Sequence, residues 1–185
     1  MPQRVCPWWI GYLLASPVRR LMYAPDKLLA PYVREGMVVL EPGPGMGFFT
    51  LDLARLVGPA GRVVAVDIQR KMLDGLKRRA AKAGLLERLD IRQAQPDSME
   101  LADLAHAVDF ALAFAVVHEM PSESSFFAQT SEVLKPGACL LLVEPAGHVT
   151  AAQFTAELDV AAHAGLKVAD RPSVRRSHAA LLKKT

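Results

Sequence analysis

The sequence is poor in cysteine and aromatic residues, and it lacks a strong excess of charge of either sign. Among 185 residues there are 2 cysteines, 6% aromatic residues and a formal net charge of +3, whereas 51% are hydrophobic. Cys6 and Cys139 lie far apart in the chain, so they do not indicate a disulfide framework and favour a reducing, cytoplasmic environment. This length and this apolar content predict a single domain, residues 1–185, with a substantial core.

Neither end of the chain gives a clear targeting or partner signal. Basic residues are concentrated in the final stretch, "DRPSVRRSHAALLKKT", but the small overall surplus of positive charge does not by itself indicate a nucleic-acid or membrane partner. The first stretch, "MPQRVCPWWIGYLLASPVRR", contains an apolar run that is too short to span a bilayer. Its proline at position 7 and its two tryptophans also fit a secretory signal badly.

Apolar runs of strand length recur along the chain with helical stretches between them. Near-continuous runs of this kind are typical of strands that are buried on both faces, and the alternation predicts a mostly parallel sheet with right-handed crossovers. Five strong runs and two weaker final ones predict seven strands: "MVVLE" at 37, "RVVAVD" at 62, "LDIRQA" at 89, "VDFALAFAV" at 108, "ACLLLVE" at 138, "LKVADR" at 166 and "SHAALLKK" at 177. The helical stretches are "GFFTLDLARLV" at 47, "IQRKMLDGLKRRAAKAG" at 68, "SMELADLAH" at 98, "SESSFFAQTSEVLKPG" at 122 and "HVTAAQFTAELDVAAHAG" at 148.

Polar side chains follow several of the predicted strands. In an open parallel sheet, ligands bind beyond the carboxyl ends of the strands, where the strand order reverses. The residues at such ends are Glu41, Asp67, Gln95, His118 and Glu144. We therefore expect the functional site among them.

The stretch "VVLEPGPGMGFFTLDLA" at 38–54 contains three glycines and one acid before them, but neither lysine nor arginine. A P-loop requires a Gly-Lys-Ser/Thr ending, which is absent. A dinucleotide fingerprint that starts from Gly43 would need its third glycine at Phe48, whose bulk would block close helix packing. Both phosphate-binding interpretations are therefore weakened.

What remains is E-x-G-x-G-x-G, an acid at a strand tip followed by a turn of bare backbone. Gly43, Gly45 and Gly47 allow unusual dihedral angles and let a ligand lie directly against the main chain. A carboxylate at Glu41 would repel a pyrophosphate strongly in a poorly solvated pocket, so the ligand is not an anion. A cationic ligand fits better, although Glu41 could instead be a structural acid satisfied by loop amides.

An adenosine end of the ligand is indicated by the residues after the next two strands. Asp67 follows Gly47 by 20 residues, the distance at which an acid accepts hydrogen bonds from ribose hydroxyls. Ile68 offers an apolar shelf for a purine. Gln95 could bind the adenine amino group, with Asp97 as the less favoured candidate. A helix N-cap is the alternative role for Asp67.

Four motifs in this order resemble the class I S-adenosylmethionine-dependent methyltransferases. They are "EPGPGMG" at 41, "VVAVDI" at 63, "VVHEMPS" at 116, which is similar to a segment of the ubiquinone and menaquinone methylase group, and "LKPGACLLLVEP" at 134. The match covers roughly residues 35 to 145. The resemblance implies a Rossmann-like, doubly wound α/β fold with helices on both faces of its sheet.

The resemblance also implies S-adenosylmethionine as cofactor and assigns roles to the residues of the motifs. The three glycines would line its methionine part, Glu41 would contact its amino group, and Asp67 would hold the ribose. Ile68 and Gln95 would contact the adenine.

Methyl transfer from a sulfonium depends mainly on proximity and alignment, so the sequence need not contain an obligatory catalytic residue. His118 and His148 are the candidates for a general base, because the pKa of histidine lies near neutrality. His118 could equally cap or pack against the following helix. Glu119 and Glu144 could join the histidines as metal ligands, but their spacing matches no standard pattern, and we expect no metal.

The first 34 residues are expected to form a helical lid over the substrate, as is usual in these enzymes. Trp8, Trp9, Tyr12 and Tyr23 could line an acceptor pocket or pack against the sheet. Together with basic residues at 19 and 20, they could also make weak contact with an anionic membrane surface.

A small-molecule acceptor is the favoured partner, and the oligomeric state is left open. An RNA or protein methylase is the first alternative, because "EPGPGMGFFT" is similar to the loop of ribosomal RNA adenine dimethylases. Those enzymes carry an Asn-x-x-aromatic motif after the fourth strand, where this chain has "FAVVHEMP", so nucleic acid is disfavoured. A cofactor-binding module without catalysis is the second alternative.

Overall fold

The structure is a computed structural model that describes residues 23–185. Its strands are β1 (Val38–Pro42), β2 (Arg62–Asp67), β3 (Leu89–Gln93), β4 (Val108–Phe114), β5 (Leu134–Pro145), β6 (Leu166–Asp170) and β7 (Ser177–Lys184). Its α-helices are α1 (Pro25–Leu29), α2 (Thr50–Leu56), α3 (Arg70–Lys82), α4 (Glu123–Val133) and α5 (Ala151–His163). Short 3-10 turns cover Leu86–Arg88, Ala102–Leu104 and Val117–Glu119.

The seven strands form a sheet in the order β3-β2-β1-β4-β5-β7-β6. β1 with β2, β2 with β3, and β4 with β5 are parallel pairs, whereas β7 is antiparallel to both β5 and β6. The prediction of seven mostly parallel strands is therefore confirmed, including the hairpin of the last two. The described residues group into two compact units that divide between Glu100 and Leu101.

The unit that ends at Glu100 is built on β1, β2 and β3. Val39 and Leu40 of β1 pair in register with Val63 and Val64 of β2, and all four side chains are fully buried. Such continuous apolar strands are stable only when both faces are covered. Helix α3 is amphipathic, and its buried face consists of Met72, Leu73, Gly75, Leu76 and Ala80.

The unit that begins at Leu101 contains β4, β5, β6 and β7. Phe110 and Leu112 of β4 are buried opposite residues of β5, whose run 140–143 is entirely inaccessible to solvent. Helix α4 begins at a cap in which the Ser122 hydroxyl accepts a hydrogen bond from the Ser125 backbone N–H. Helix α5 begins at a capping box formed by Thr150 and Gln153.

Two of the predicted helical stretches were wrong in part. The stretch 98–106 contains only a 3-10 turn, because Glu100 and His106 at its ends have positive φ angles of 54° and 53°, which an α-helix does not accept. Helix α4 ends at Val133, and the following residues belong to β5 rather than to the helix. Pro136 has no backbone N–H and would clash with a preceding helical turn.

Most of the predicted lid, including Trp8, Trp9 and Tyr12, lies outside the described residues. Within the part that is described, the short helix α1 begins with Pro25, whose fixed φ suits the first turn of a helix. Between positions 23 and 185, every helix is too short or too polar to cross a membrane. The prediction of a single domain stays a prediction.

Gly61, directly before β2, provides a test of the packing between α2 and the sheet. A Cβ atom there would lie 2.5 Å from the Val57 carbonyl oxygen and 2.7 Å from the Met37 carbonyl oxygen. Since both are backbone atoms, we expect Gly61→Ala to lower the free energy of unfolding by about 1–3 kcal/mol in denaturant titrations.

The matched control is Gly147→Ala, because a Cβ atom at Gly147 would have nothing within 4 Å. Its free energy of unfolding should stay within about 0.5 kcal/mol of the parent protein. Equal effects of the two substitutions would contradict the packing described for Gly61.

Candidate functional site

The glycine loop turns sharply away from the end of β1. Gly43, Gly45 and Gly47 have positive φ angles of 65°, 54° and 82°, a region that side chains with a Cβ atom rarely adopt. The Gly43 N–H donates a hydrogen bond to the Val66 carbonyl oxygen of β2 at 2.8 Å, which ties the start of the loop to the neighbouring strand. At these three positions the backbone is thus presented without a Cβ atom.

Helix α3 holds the other side of this loop. The Arg79 guanidinium donates a hydrogen bond to the Met46 carbonyl oxygen. A Cβ atom at Gly47 would collide with Leu76, and one at Gly75 would lie 2.9 Å from Cγ of Met46. The loop is therefore fixed in shape by close packing and by one charged hydrogen bond.

Glu41 lies at the end of β1 with only 4% of its surface exposed. Its Oε2 atom has no hydrogen-bond partner among the described residues. Burial raises the pKa of this carboxyl to about 8, the Thr50 hydroxyl opposes the rise, and the nearby carboxylates of Asp67 and Asp52 add to it. The unpaired Oε2 atom argues against the alternative in which Glu41 is a structural acid satisfied by loop amides.

Asp67 ends β2 and is 8% exposed. Its Oδ1 atom accepts a hydrogen bond from the Gln69 N–H at 2.8 Å, and its carbonyl oxygen accepts one from the Ala94 N–H at 3.1 Å. The N-cap position of α3 is Gln69, without a side-chain capping bond, so Asp67 is not the cap of this helix. Its carboxylate is instead held at the strand end by the main chain.

The residues expected to contact a purine follow β2 and β3. Ile68 is partly exposed, and both Gln95 and Asp97 are exposed. The Gln95 backbone N–H donates a hydrogen bond to the Ser98 carbonyl oxygen at 2.8 Å, which closes a small turn. Gln93, which the sequence analysis did not single out, ends β3 with its side-chain amide 3.4 Å from the Ile68 carbonyl oxygen.

A second group of polar residues lies within the unit that begins at Leu101. His118 is in the 3-10 turn after β4, and its Nδ1 atom makes a hydrogen bond with Oε2 of Glu144, next to the end of β5. The other oxygen of Glu144 accepts a hydrogen bond from the Val117 N–H at 2.8 Å. Glu144 is fully buried, and both of its carboxylate oxygens are used.

His148, the other candidate base, lies next to His118. Its Nδ1 atom is 3.4 Å from Nε2 of His118, and the two rings meet edge to face with their centroids 5.2 Å apart. The His118 side chain is 18% exposed, whereas His148 is exposed. His118 is thus placed between a buried carboxylate and a solvent-facing imidazole.

The charges around His118 favour its protonated form. The hydrogen bond to Glu144 raises the pKa of His118, partial burial opposes the rise, and the charges of Glu144, Glu119 and Glu157 add to it. Burial also raises the pKa of Glu157 to about 7, with Glu144 and Glu123 contributing, while His118 lowers it.

The sequence analysis considered Glu144 as a strand-end residue and as a possible metal ligand beside the histidines, but it did not single out Glu157. Glu157 has one sequence signal, since it occupies the apolar face of α5 beside Leu158. Within the described ranges, the structure contains no group of three or more His, Cys, Asp or Glu side chains that could hold a metal ion.

The buried carboxyls predict how stability depends on pH. In the unfolded chain the Glu41 carboxyl loses its proton near its ordinary pKa of 4.5, whereas in the folded protein it keeps the proton up to about pH 8. Between these values the unfolded state binds fewer protons, so the free energy of unfolding falls as pH rises. Glu41→Gln should reduce that slope by up to roughly 1.4 kcal/mol per pH unit.

Chemical denaturation at a series of pH values between 5 and 8 measures this slope. Glu87→Gln, at an exposed position in the same unit, is the matched control and should leave the slope unchanged. A slope that is the same in Glu41→Gln and in the parent protein would show that Glu41 is ionised when the protein is folded.

Comparison with known proteins places this arrangement in a family. The family model described as "Methyltransferase domain" matches residues 33–173, which is most of the chain. The ubiquinone/menaquinone biosynthesis C-methyltransferase UbiE of Pasteurella multocida is 30% identical over 112 residues, which cover 60% of this chain and 41% of that protein. The protein of the same name from Klebsiella pneumoniae is 31% identical over 115 residues, with 60% and 44% covered. The chain thus spans about two fifths of the length of these relatives.

Solved structures show the same fold. A SAM-dependent methyltransferase from Aquifex aeolicus superposes with a TM-score of 0.87 at 23% identity and covers 98% of this chain and 100% of its own. An arsenic(III) S-adenosylmethionine methyltransferase from Chlamydomonas reinhardtii gives a TM-score of 0.64 at 17% identity, with 83% and 64% covered. The predicted Rossmann-like α/β class is confirmed.

The family match, the sheet and the glycine loop agree with one another. The chain therefore belongs to the methyltransferase domain family, as the resemblance to the class I S-adenosylmethionine-dependent methyltransferases predicted.

Proposed function

We propose that this protein binds S-adenosylmethionine through the end of β1, the glycine loop and the end of β2, and that it transfers the methyl group to a small-molecule acceptor. The observation that carries the proposal is the unpaired, buried Oε2 atom of Glu41, directly before the glycine loop. A buried carboxyl oxygen without a partner is costly, which favours a ligand that supplies the missing donor.

The residues present fit this cofactor. An ammonium group supplies hydrogen-bond donors and a positive charge, both of which a carboxylate at Glu41 would accept. The cation also favours the ionised carboxyl, so binding at neutral pH would release a proton from Glu41. A Cβ atom at Gly45 would meet nothing within 4 Å, which leaves room at the loop surface.

Asp67 would hold the ribose through its carboxylate, which the Gln69 N–H already orients. Ile68 would pack against the adenine, and either Gln95 or Asp97 would bind its amino group. Both side chains are exposed at the turn after β3. Affinities of Gln95→Ala and Asp97→Ala for the cofactor distinguish these two candidates.

S-adenosylmethionine supplies an electrophilic methyl group on a sulfonium, so the chain mainly has to align the reactants and keep water out. We further propose His118 as the general base, with His148 as its neighbour in the same role. A base is required only where the attacking atom of the acceptor carries a proton.

The acceptor class is supported by the relatives alone. The curated relatives are named for C-methylation in ubiquinone and menaquinone biosynthesis. We propose for this chain the broader class of small molecules, with phenols and hydroquinones as the first compounds to test.

The function is tested in two steps. Native mass spectrometry of the purified protein should show retained or added S-adenosylmethionine, and incubation with a panel of phenols, hydroquinones, thiols and amines should yield S-adenosylhomocysteine. Turnover with bulk RNA but with no small molecule would favour the nucleic-acid alternative. Binding without turnover on either would favour a module that only holds the cofactor.

Asp67→Ala should weaken binding of S-adenosylhomocysteine by about 2 kcal/mol, roughly thirtyfold in Kd, because charge-assisted hydrogen bonds to the ribose would be lost. Isothermal titration calorimetry measures the change. Asp159→Ala removes one acid at an exposed position of α5 and should leave the affinity unchanged. Unchanged affinity in Asp67→Ala would remove Asp67 from the site.

A further inference from the structure

We propose that Glu144 is a positioning residue that holds His118 as the base of the methyl transfer, and that the acceptor is a neutral compound which loses a proton from the atom that becomes methylated. This inference rests on the proposed function and specifies its substrate class. It is carried by the geometry of Glu144, His118 and His148.

Glu144 fixes the turn and the imidazole together. One carboxylate oxygen accepts the Val117 N–H at 2.8 Å, and the other is bonded to Nδ1 of His118. Val117 and His118 are adjacent in the chain, so the Glu144 carboxylate fixes both the backbone at Val117 and the imidazole ring of His118. Because Glu144 is fully buried, loss of either bond would leave an unsatisfied oxygen away from water.

The same arrangement selects one tautomer of His118. An ionised carboxylate accepts hydrogen bonds only, so Nδ1 must carry the hydrogen that faces Glu144. In the neutral ring, Nε2 then has the lone pair and is the atom that can accept a proton. This is the logic by which a buried acid orients a histidine base in other enzymes.

His148 provides the route by which the proton leaves. Its Nδ1 atom is 3.4 Å from Nε2 of His118, and its ring is exposed to solvent. A small movement of either ring brings the two nitrogens within ordinary hydrogen-bond distance. A proton taken up by His118 can therefore pass to His148 and then to water.

Other titratable groups surround this pair. Oε1 of Glu119, in the same turn, is 4.0 Å from Nε2 of His118, and Glu157 of α5 acts on His118 through its charge. His178 of β7 pairs in register with Glu144, and its ring stacks on Phe154. The acids favour the protonated imidazole, so the neutral base form becomes more populated as pH rises.

The proposed step balances in atoms and electrons. A proton leaves the attacking atom of the acceptor for Nε2 of His118, and the electron pair on that atom forms the bond to the methyl carbon. The bond between methyl carbon and sulfur breaks, and its electron pair stays on the sulfur, which becomes neutral. An acceptor with an O–H or an activated C–H group needs such a base, whereas a preformed thiolate does not.

The first test measures the effect of Glu144 on the tautomer and the pKa of His118, and it requires no methyl acceptor. In protein labelled with ¹⁵N-histidine and saturated with S-adenosylhomocysteine, ¹⁵N chemical shifts of neutral His118 should show the tautomer with hydrogen on Nδ1. Its pKa should lie above the ordinary value and should fall in Glu144→Gln. The matched control, Glu119→Gln, removes a carboxylate that is 4.0 Å from the ring and should lower the pKa less.

A hydrogen on Nε2 of neutral His118 in the parent protein would overturn the inference. That measurement does not depend on the folding of any variant. Equal pKa decreases in Glu144→Gln and Glu119→Gln would also overturn it.

The second test uses the acceptor that gives the highest turnover in the panel. His118→Asn should lower kcat roughly a hundredfold or more. Glu144→Gln should lower kcat by a larger factor than it changes KM. It should also move the rising limb of the pH profile of kcat to lower pH. Glu144→Asp should restore part of kcat.

Turnover that is highest with a thiolate, or unaffected by His118→Asn, would contradict the inference while leaving the methyltransferase function intact. Absence of turnover with every compound would contradict the proposed function. The NMR result would then show only whether Glu144 sets the tautomer and the pKa of His118.

Discussion

A buried carboxyl group without a hydrogen-bond partner, next to the glycine loop, is the constraint on which the proposed cofactor site depends. Burial raises the pKa of Glu41 to about 8, and no described residue satisfies its Oε2 atom. Such an arrangement costs stability unless a ligand contributes to it. The three glycines and the contacts from α3 hold the loop in a shape that keeps the Glu41 carboxyl buried. The surrounding packing therefore compensates for the stability that this unpaired carboxyl costs.

Two glutamates near strand ends show how environment sets the role of the same residue type. Glu144 is as deeply buried as Glu41, but both of its oxygens accept hydrogen bonds from the turn that contains His118. An acid paired in this way orients its neighbour, whereas the unpartnered Glu41 keeps its proton until a cation arrives. The first arrangement suits control of a base, and the second suits capture of a positively charged ligand.

The sequence predicted the strands and the glycine loop because their signals are local. Continuous apolar runs mark β1, β2 and β4, and the acid, the glycines and Asp67 follow at fixed spacing. The helix expected at 98–106 failed because left-handed residues interrupt it, and nothing in its apolar spacing reveals their φ angles. The bond between His118 and Glu144 joins residues 26 positions apart, and the burial of Glu157 depends on which face of α5 packs inward. Both are consequences of tertiary packing, which spacing along the chain does not encode.

The most direct measurement of the central claim is the number of protons released when S-adenosylmethionine binds near pH 7. Calorimetric titrations in buffers of different ionisation enthalpy give this number. A buried, protonated Glu41 that receives the cofactor's ammonium group predicts net proton release in the parent protein and its loss in Glu41→Gln. Binding without proton release, or equal release in both proteins, would contradict the role assigned to Glu41.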